Sequence, residues 1–423
     1  MKLPIKRSKP KTTHYHVSHL QGHHNSVEIE ALADDGRGLA RIEGKVVFIS
    51  QALPGELVDV KIMIDKPSHA EATPTKWHRY SEHRKTPFCD YYATCGGCQL
   101  QHLSLSSQHK WKQQNFLQQL SKSLNTRKLT IEPLLGTASQ HYRRRARLVL
   151  VKDPKTKQAK LGFRQAQSQT PVDIEYCPIL TPALNQALQK ARFELLPLAS
   201  RQAKEVQLVE AEQGVWITSD VYQKTADVDA PYYLLNQLKL NFDPQGFIQV
   251  NAPINQALVN QVVDWLAPNQ QDRILDLFCG IGNFSLALAQ HAGKVVGVEG
   301  LANAVILAKQ NALNNQLNNT EFYKADLFED AHHQAWWSSY DSILLDPGRL
   351  GAKNLCQKIG ELNANRIVYV SCQSDTLIRD LQAIEQQGYR LKRIQLFDMF
   401  PNTSHIESLV LMEKIMLNHK QHT

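Results

Sequence analysis

Residues 273–284, RILDLFCGIGNF, constrain the fold of this chain more than any other stretch. An apolar run of strand length enters a glycine loop and then an apolar helical pattern, which marks a buried strand turning into a helix. The alternation continues through KVVGVEG, LANAVILAKQNALNN, TEFYKAD, DSILLDP, RIVYVSC and SDTLIRDLQAIEQQ, with further strands expected near 390–398 and 407–416. Strands alternating with helices specify a doubly wound α/β domain. Ligands of such sheets sit outside the carboxyl ends of the strands. The residues that close each strand are therefore the ones to read for function.

Asp276, Gly280 and Gly282 stand where the backbone must approach a ligand closely. Glu299 ends the next strand and is placed to accept hydrogen bonds from ribose hydroxyls; Asp326 ends the third and is placed for an adenine amino group. A dinucleotide requires G-x-G-x-x-G, with the helix N-terminus clear for a pyrophosphate. The loop here reads GIGNFS and lacks the third glycine, so S-adenosylmethionine is the expected ligand. Cys279, inside the loop, reads as a small packing residue.

Asp346 closes SILLDP and Cys372 closes RIVYVSC, so both face the same sheet edge. If the strand near 390–398 ends there too, an antiparallel successor ESLVLMEK starts there and brings Glu407 with it. A thiolate, a carboxylate and a methyl donor together fit one reaction. Uracil C5 is a poor nucleophile until a thiolate adds at C6; C5 then takes the methyl group, and a base removes its proton so the thiol can leave. Cys372 is the expected nucleophile and Glu407 the expected base. Cys356, without a nearby partner, reads as structural.

The first half of the chain carries different signals. Residues 1–25 are basic and include His14, His16, His19, His23 and His24 without an apolar framework to fix a metal, and are expected to be a disordered tail. Residues 26–80 read as short alternating strands separated by turns, a small β-barrel. Residues 81–245 read as a central α+β domain, with a helix over 105–124 that carries Trp111, Phe116, Leu117 and Leu120 at helical spacing and is a candidate to pack on the C-terminal α/β domain. In HYRRRARLVL, strand alternation puts Arg143, Arg145 and Arg147 on one face, an expected phosphate-contacting strip with Arg144 beside it. Lys and Arg number 48 against 40 acidic residues, a net charge of +8 that favours a polyanionic partner. No apolar run approaches the roughly 20 residues that span a bilayer, and no secretory signal is apparent. A cytosolic location follows as the expectation, and with it reduced cysteines. Cys89, Cys95 and Cys98, spaced C-x5-C-x2-C, are one thiolate short of a four-ligand site; Cys177, followed by Pro178, is the expected fourth. An iron–sulfur cluster and a four-thiolate zinc ion both satisfy that set.

FIQVN, LDLFCGIGNF, VVGVEG, LLDPGRLGA, VYVSC and MFPNTSHIESLVL together closely resemble the RNA uracil-5-methyltransferase family, over residues 27–416. The leading barrel is similar to that family's RNA-binding TRAM module, an OB-type barrel. With the cysteine set, the chain resembles the bacterial branch that methylates a uridine of 23S ribosomal RNA and carries a [4Fe-4S] cluster. The resemblance implies an α/β architecture of three parts: the TRAM barrel, a central domain with an iron–sulfur site, and a Rossmann-like S-adenosylmethionine-dependent methyltransferase domain over 246–423. It implies that Gln249, Phe278, Asn283, Glu299, Asp326 and Asp346 contact or adjoin S-adenosylmethionine, Asp346 also being able to hold the target base. Cys372 would be the nucleophile, Glu407 the base, and Cys89, Cys95, Cys98 and Cys177 the cluster ligands, which places the cluster ahead of zinc. The implied partner is 23S ribosomal RNA, methylated by a cytoplasmic monomer with no membrane or DNA partner, the uridine being flipped out or already unpaired. Rival readings are a tRNA or another 23S uridine as target, a non-catalytic RNA-binding protein, and an NAD-linked redox enzyme. The chain departs from the family's S-C-N-P-x-T with SCQSDTL, where Ser374 or Asp375 is expected to cap the next helix.

Overall fold

Alternation of apolar and polar residues builds the first unit of the computed structural model, which describes residues 19–224 and 230–415. Its strands are β1 (His23–Glu28), β2 (Ala31–Leu32), β3 (Gly38–Ile42), β4 (Lys45–Ile49), β5 (Leu57–Asp65) and β6 (His69–Arg79), in the order β1-β5-β6-β4-β3-β2. After β1, the Ile29 N–H donates to Glu56 O at 3.0 Å and the Glu30 N–H to Leu39 O at 2.8 Å, so this one stretch reaches both sides of the sheet. Ala40, Val47, Ile49, Val58 and Val60 fill the interior. Residues 20–25 do not belong to a disordered tail: Leu20 is buried in this core and His23 and His24 belong to β1. An apolar side chain that can join a core outweighs a polar neighbourhood. His14 and His16 lie outside the described residues.

The second unit runs from Lys85 to Thr423. It opens with α1 (Leu105–Ser121) and β7 (Thr130–Ile131), followed by β8 (Arg145–Lys152), β9 (Ala159–Gly162), α2 (Pro182–Leu195), β10 (Lys204–Ala211), β11 (Gly214–Ser219) and β12 (Tyr222–Lys224). These last five strands form an antiparallel sheet ordered β12-β11-β10-β8-β9, with α2 packed on it through Leu184, Leu188 and Leu195. A two-stranded ribbon, β13 (Tyr232–Leu235) and β14 (Leu238–Asn241), leads to the α/β part.

That part comprises α3 (Ala252–Leu266), β15 (Arg273–Leu277), α4 (Ser285–Ala289), β16 (Lys294–Glu299), α5 (Ala302–Asn314), β17 (Thr320–Lys324), β18 (Ser342–Leu345), α6 (Lys353–Cys356), β19 (Arg366–Ser371), α7 (Ser374–Gln386), β20 (Tyr389–Phe397) and β21 (Glu407–Lys414). The eight-stranded sheet is ordered β17-β16-β15-β18-β19-β21-β20-β7. Its strands β15 to β19 are parallel, while β21 runs antiparallel between β19 and β20. Nearly continuous apolar burial in β15, β18 and β19 fits strands covered on both faces.

The expected boundary at 245/246 is not a physical division. Strand β7, from the preceding segment, pairs with β20 at the sheet edge. Phe116, Leu120 and Leu124 share one core with Tyr369, Leu381 and Leu391, and Gln382 Nε2 donates to Ser123 O at 3.2 Å. Helix α1 is thus part of the α/β layer structure. Burial of these apolar side chains, each worth roughly 1.5–3 kcal/mol, joins the two segments.

Candidate active site

Strand β15 delivers its chain directly into the glycine loop. Phe278 and Gly282 both adopt left-handed backbone, with φ of 66° and 93°. A Cβ on Gly282 would stand 2.2 Å from Leu286 Cδ1 and the left-handed φ would strain any other residue, so the turn favours glycine. Glu299, at the end of β16, accepts from the Gly280 N–H at 3.2 Å and the Leu301 N–H at 2.8 Å, tying two strand ends together. Asn283 is held by a reciprocal amide pair with Asn255 of α3, at 2.9 and 3.1 Å, and accepts from the Tyr233 hydroxyl at 2.9 Å. Phe278 packs against Phe328, with ring centroids 6.0 Å apart. Asp326 is exposed beyond β17 and accepts from the Phe328 N–H at 2.9 Å. Gln249 precedes α3, and its carbonyl accepts from Arg144 Nε at 2.8 Å. Cys279 is buried, as a packing residue should be.

Asp276, inside β15, is fully buried. Burial, with the nearby Glu299 charge, pushes its carboxyl up to about 7, although the Ser285 hydroxyl donates to it. Its Oδ1 has no hydrogen-bond partner among the described residues. Asp346, one residue past β18, is pushed up to about 8 by burial and by the Asp276 charge. Two carboxyls at adjacent strand ends, one with an unpaired oxygen, form a site that a cation relieves. The sulfonium and ammonium groups of S-adenosylmethionine are of that chemistry.

Cys372 follows β19 and Glu407 begins β21. Ser371 pairs with Ser408 as the last pair of the antiparallel ladder, so Cys372 and Glu407 adjoin its end, close enough for the Glu407 charge to act on the thiol. Glu407 is 5% exposed, and burial, with the Asp346 charge, raises its carboxyl well above the usual range. Burial and the charges of Glu407 and Asp346 push the Cys372 thiol up to about 11, while Arg349 works the other way. Arg349 lies within LLDPGRLGA and is a member of the site that spacing alone does not single out. The expected side-chain cap after Cys372 does not form. Gln373 takes the N-cap position without a side-chain bond to the helix backbone; the Ser374 hydroxyl donates to Gln119 of α1, and Asp375 accepts from Gln373 Nε2 at 2.9 Å.

The tRNA (uracil-5-)-methyltransferase family model matches residues 183–415, and the TRAM domain model matches residues 20–75. The chain is 40% identical to the 23S rRNA (uracil(1939)-C(5))-methyltransferase RlmD of Vibrio parahaemolyticus, across 93% of this chain and 97% of that protein. The chain belongs to the RNA uracil-5-methyltransferase family. The RlmD protein of Aeromonas hydrophila is likewise 40% identical, over 89% of this chain and 93% of that one. Among solved structures, the Pyrococcus abyssi tRNA (uracil-54, C5)-methyltransferase in complex with S-adenosyl-L-homocysteine shares the fold. Its TM-score is 0.71 at 22% identity, covering 92% of this chain and all of that one.

Within this uracil-5-methyltransferase the arginine strip is not the free surface its alternation predicts. Leu148 and Leu150 do enter the core opposite the arginines. Arg145, however, is buried and bonds to Gly246 O, to Gln245 O at 3.2 Å and to Gln207 Oε1 at 2.7 Å. Arg143 Nε donates to Arg145 O at 2.8 Å, and Arg144 lies over the Tyr233 ring at 4.5 Å. Of these four only Arg147 is exposed, and it pairs with Glu205 at 3.1 Å. The segment around Gly246 covers this face, which strand periodicity cannot foresee.

Cys89, Cys95, Cys98 and Cys177 line one cavity of about 90 Å³, beside Tyr92, Phe163 and Arg143. Burial, with the charges of the other three cysteines, pushes Cys98 up to about 12; burial and the Cys89 and Cys95 charges push Cys177 up to about 11. Among the described residues, no three His, Cys, Asp or Glu side chains form a group that could hold a single metal ion. Cys356 is buried at the end of α6.

Proposed function

We propose that this chain transfers a methyl group from S-adenosylmethionine to C5 of a uridine in 23S ribosomal RNA. The observation that carries the reading is the Ser371–Ser408 pair that closes the β19–β21 ladder, beside which Cys372 and Glu407 stand at the carboxyl edge of the parallel strands. The methyl donor supplies an electrophilic methyl group on a sulfonium. Gln249, Phe278, Asn283, Glu299, Asp326 and Asp346 bind it, and Asp346 also holds the target base.

Cys372, as thiolate, adds to uracil C6 and pushes electron density to C5. Arg349 favours that thiolate against the carboxylates around it. C5 takes the methyl group as that group's bond to the sulfonium sulfur breaks, leaving a neutral thioether. Glu407 then removes the C5 proton; the electron pair re-forms the C5–C6 double bond and expels the Cys372 thiolate. Burial of Glu407 gives it a basicity suited to accepting a proton from carbon, since a carboxylate of ordinary pKa is too weak a base. The uridine enters the site flipped out or unpaired, because C5 and C6 are shielded in a stack.

The 23S target is supported by relatives about as long as this chain that carry that name at 40% identity. The TRAM unit is proposed to hold the RNA around the target by shape and phosphate contacts. We also propose that Cys89, Cys95, Cys98 and Cys177 hold a [4Fe-4S] cluster. In its favour, the four thiols stand around a cavity, whereas a zinc ion needs every sulfur about 2.3 Å from one point. Their mutual charges, unfavourable alone, are what cationic iron offsets. The group would tie residues 89–98 to Cys177 and supply no step of the reaction.

Transfer of labelled methyl to fragments of 23S ribosomal RNA and to tRNA, followed by mapping, tests the reading. The expected result is 5-methyluridine at one position of a 23S fragment. Label confined to tRNA would overturn the target.

A further inference from the structure

The turn between β20 and β21 delivers Glu407, and one residue within it is bonded far beyond local need. We propose that Asn402 is a positioning residue for Glu407, setting the base by tying its turn to α1 and to the segment after Cys98. The proposal rests on the reading of Glu407 as the base.

Asn402 is 1% exposed and has left-handed backbone, φ 67°. Its carbonyl accepts the N–H groups of both Gln99 and Leu100, at 2.9 Å each, directly after Cys98. Its own N–H donates to Gln108 Oε1 at 2.9 Å, and Gln108 Nε2 donates back to Asn402 Oδ1 at 3.3 Å. Asn402 Nδ2 donates to Ser139 O at 2.8 Å. Every polar atom of the residue is engaged, with three separate stretches of chain. The turn is pinned elsewhere as well. Lys112 Nζ bonds to Asp398 Oδ1 at 2.7 Å and Phe400 O at 3.2 Å, and the Tyr142 hydroxyl donates to Pro401 O at 3.1 Å.

Glu407 pairs with Phe397 at the start of the β20–β21 ladder, and the residues that lead into it come from this turn. A base must lie within about 2.6–3.2 Å of the proton it removes. Addition of Cys372 to C6 and methylation at C5 do not use Glu407. Removal of the C5 proton, with return of the electron pair to C5–C6 and release of the thiolate, does. A displaced Glu407 therefore stalls the reaction after methyl transfer, with RNA still bonded to Cys372.

The test uses the full chain. Asn402→Gly keeps the left-handed backbone and removes the amide, and Gln108→Ala removes its partner while leaving Asn402 in place. Covalent RNA–protein complex is measured on denaturing gels, beside multiple-turnover rate, single-turnover adduct formation and S-adenosylmethionine affinity. Both variants are expected to lose about tenfold to 10²-fold in turnover, as a misplacement of about 1 Å can cost. Trapped complex should rise several-fold, with adduct formation and cofactor affinity within about twofold of the parent. Turnover and adduct formation falling in equal proportion, or neither changing, would overturn the proposal. Glu407→Gln separates the two levels. If it traps complex and the other variants do not, the positioning role alone is wrong. If it turns over without trapping, the reading of Glu407 is wrong and the positioning role falls with it.

Discussion

The Ser408 hydroxyl donates to the backbone carbonyl of Ser371 at 2.8 Å, and the neighbours of these two residues, Glu407 and Cys372, are the proposed base and nucleophile. The ladder that pairs β19 with β21 therefore also sets the distance between the two reacting groups. An antiparallel strand inserted at this point of a parallel sheet is what allows a strand start to meet a strand end at one edge.

The base acts late. Glu407→Gln should lower turnover by about 10²- to 10⁴-fold, the usual worth of a positioned general base, while covalent complex accumulates. Rapid-quench kinetics paired with denaturing gels distinguishes this from a defect in binding, in which complex would fall along with turnover.

The nucleophile should respond to pH. With its thiol pushed up to about 11, Cys372 is mostly protonated near neutrality, and the thiolate fraction grows as pH rises. Single-turnover adduct formation should then increase roughly tenfold per pH unit between about pH 7 and 9. Arg349→Ala, which removes a positive charge that favours the thiolate, should lower the rate at each pH without changing that slope.

Cofactor affinity should also rise with pH. Folding raises Asp346 to about 8, so the cofactor-free chain is favoured by its protonated form; that contribution is complete below the unfolded value of 3.8 and is lost as pH rises through 8. A cationic ligand prefers the ionised carboxylate, so binding at pH 7 should release protons. Titration calorimetry in buffers of different ionisation enthalpy measures this, and Asp346→Asn should reduce the release.

How much of this was legible in the sequence follows from the range of each interaction. The strand ends bearing Glu299, Asp346 and Cys372, and the antiparallel return that brings in Glu407, follow from periodicity and sheet topology. The burial of Arg145 does not, because it depends on residues near 245 that fold back over β8. Nor do the ties of Lys112 to Asp398 and of Gln108 to Asn402, which join residues 286 and 294 positions apart. Nothing local distinguishes such a lysine from a solvated one.

That lysine gives a stability prediction. Lys112 and Asp398 side chains are both 0% exposed. Burial holds the amine below its usual range; for Asp398 burial acts upward, but His109 and Lys112 together keep the carboxyl low. Lys112→Met should destabilise the chain by about 3–5 kcal/mol by leaving the buried Asp398 carboxylate with His109 as its remaining partner. Adding Asp398→Asn should recover part of the loss in denaturant unfolding.

The cysteine cavity has its own readout. Protein purified without oxygen should contain iron and acid-labile sulfide and absorb in the visible, and Cys177→Ser should lose both. Colourless protein with bound zinc and no sulfide would contradict the proposed cluster.

Covalent attachment of the RNA through Cys372 is the step on which the proposed mechanism depends. The most direct measurement is mass spectrometry of the complex trapped by Glu407→Gln with labelled S-adenosylmethionine and a 23S ribosomal RNA fragment. The account predicts one peptide containing Cys372 bonded to a uridine that carries the label, and no such species when Cys372 is also replaced by alanine. Labelled RNA produced at undiminished rate by Cys372→Ala alone would contradict it.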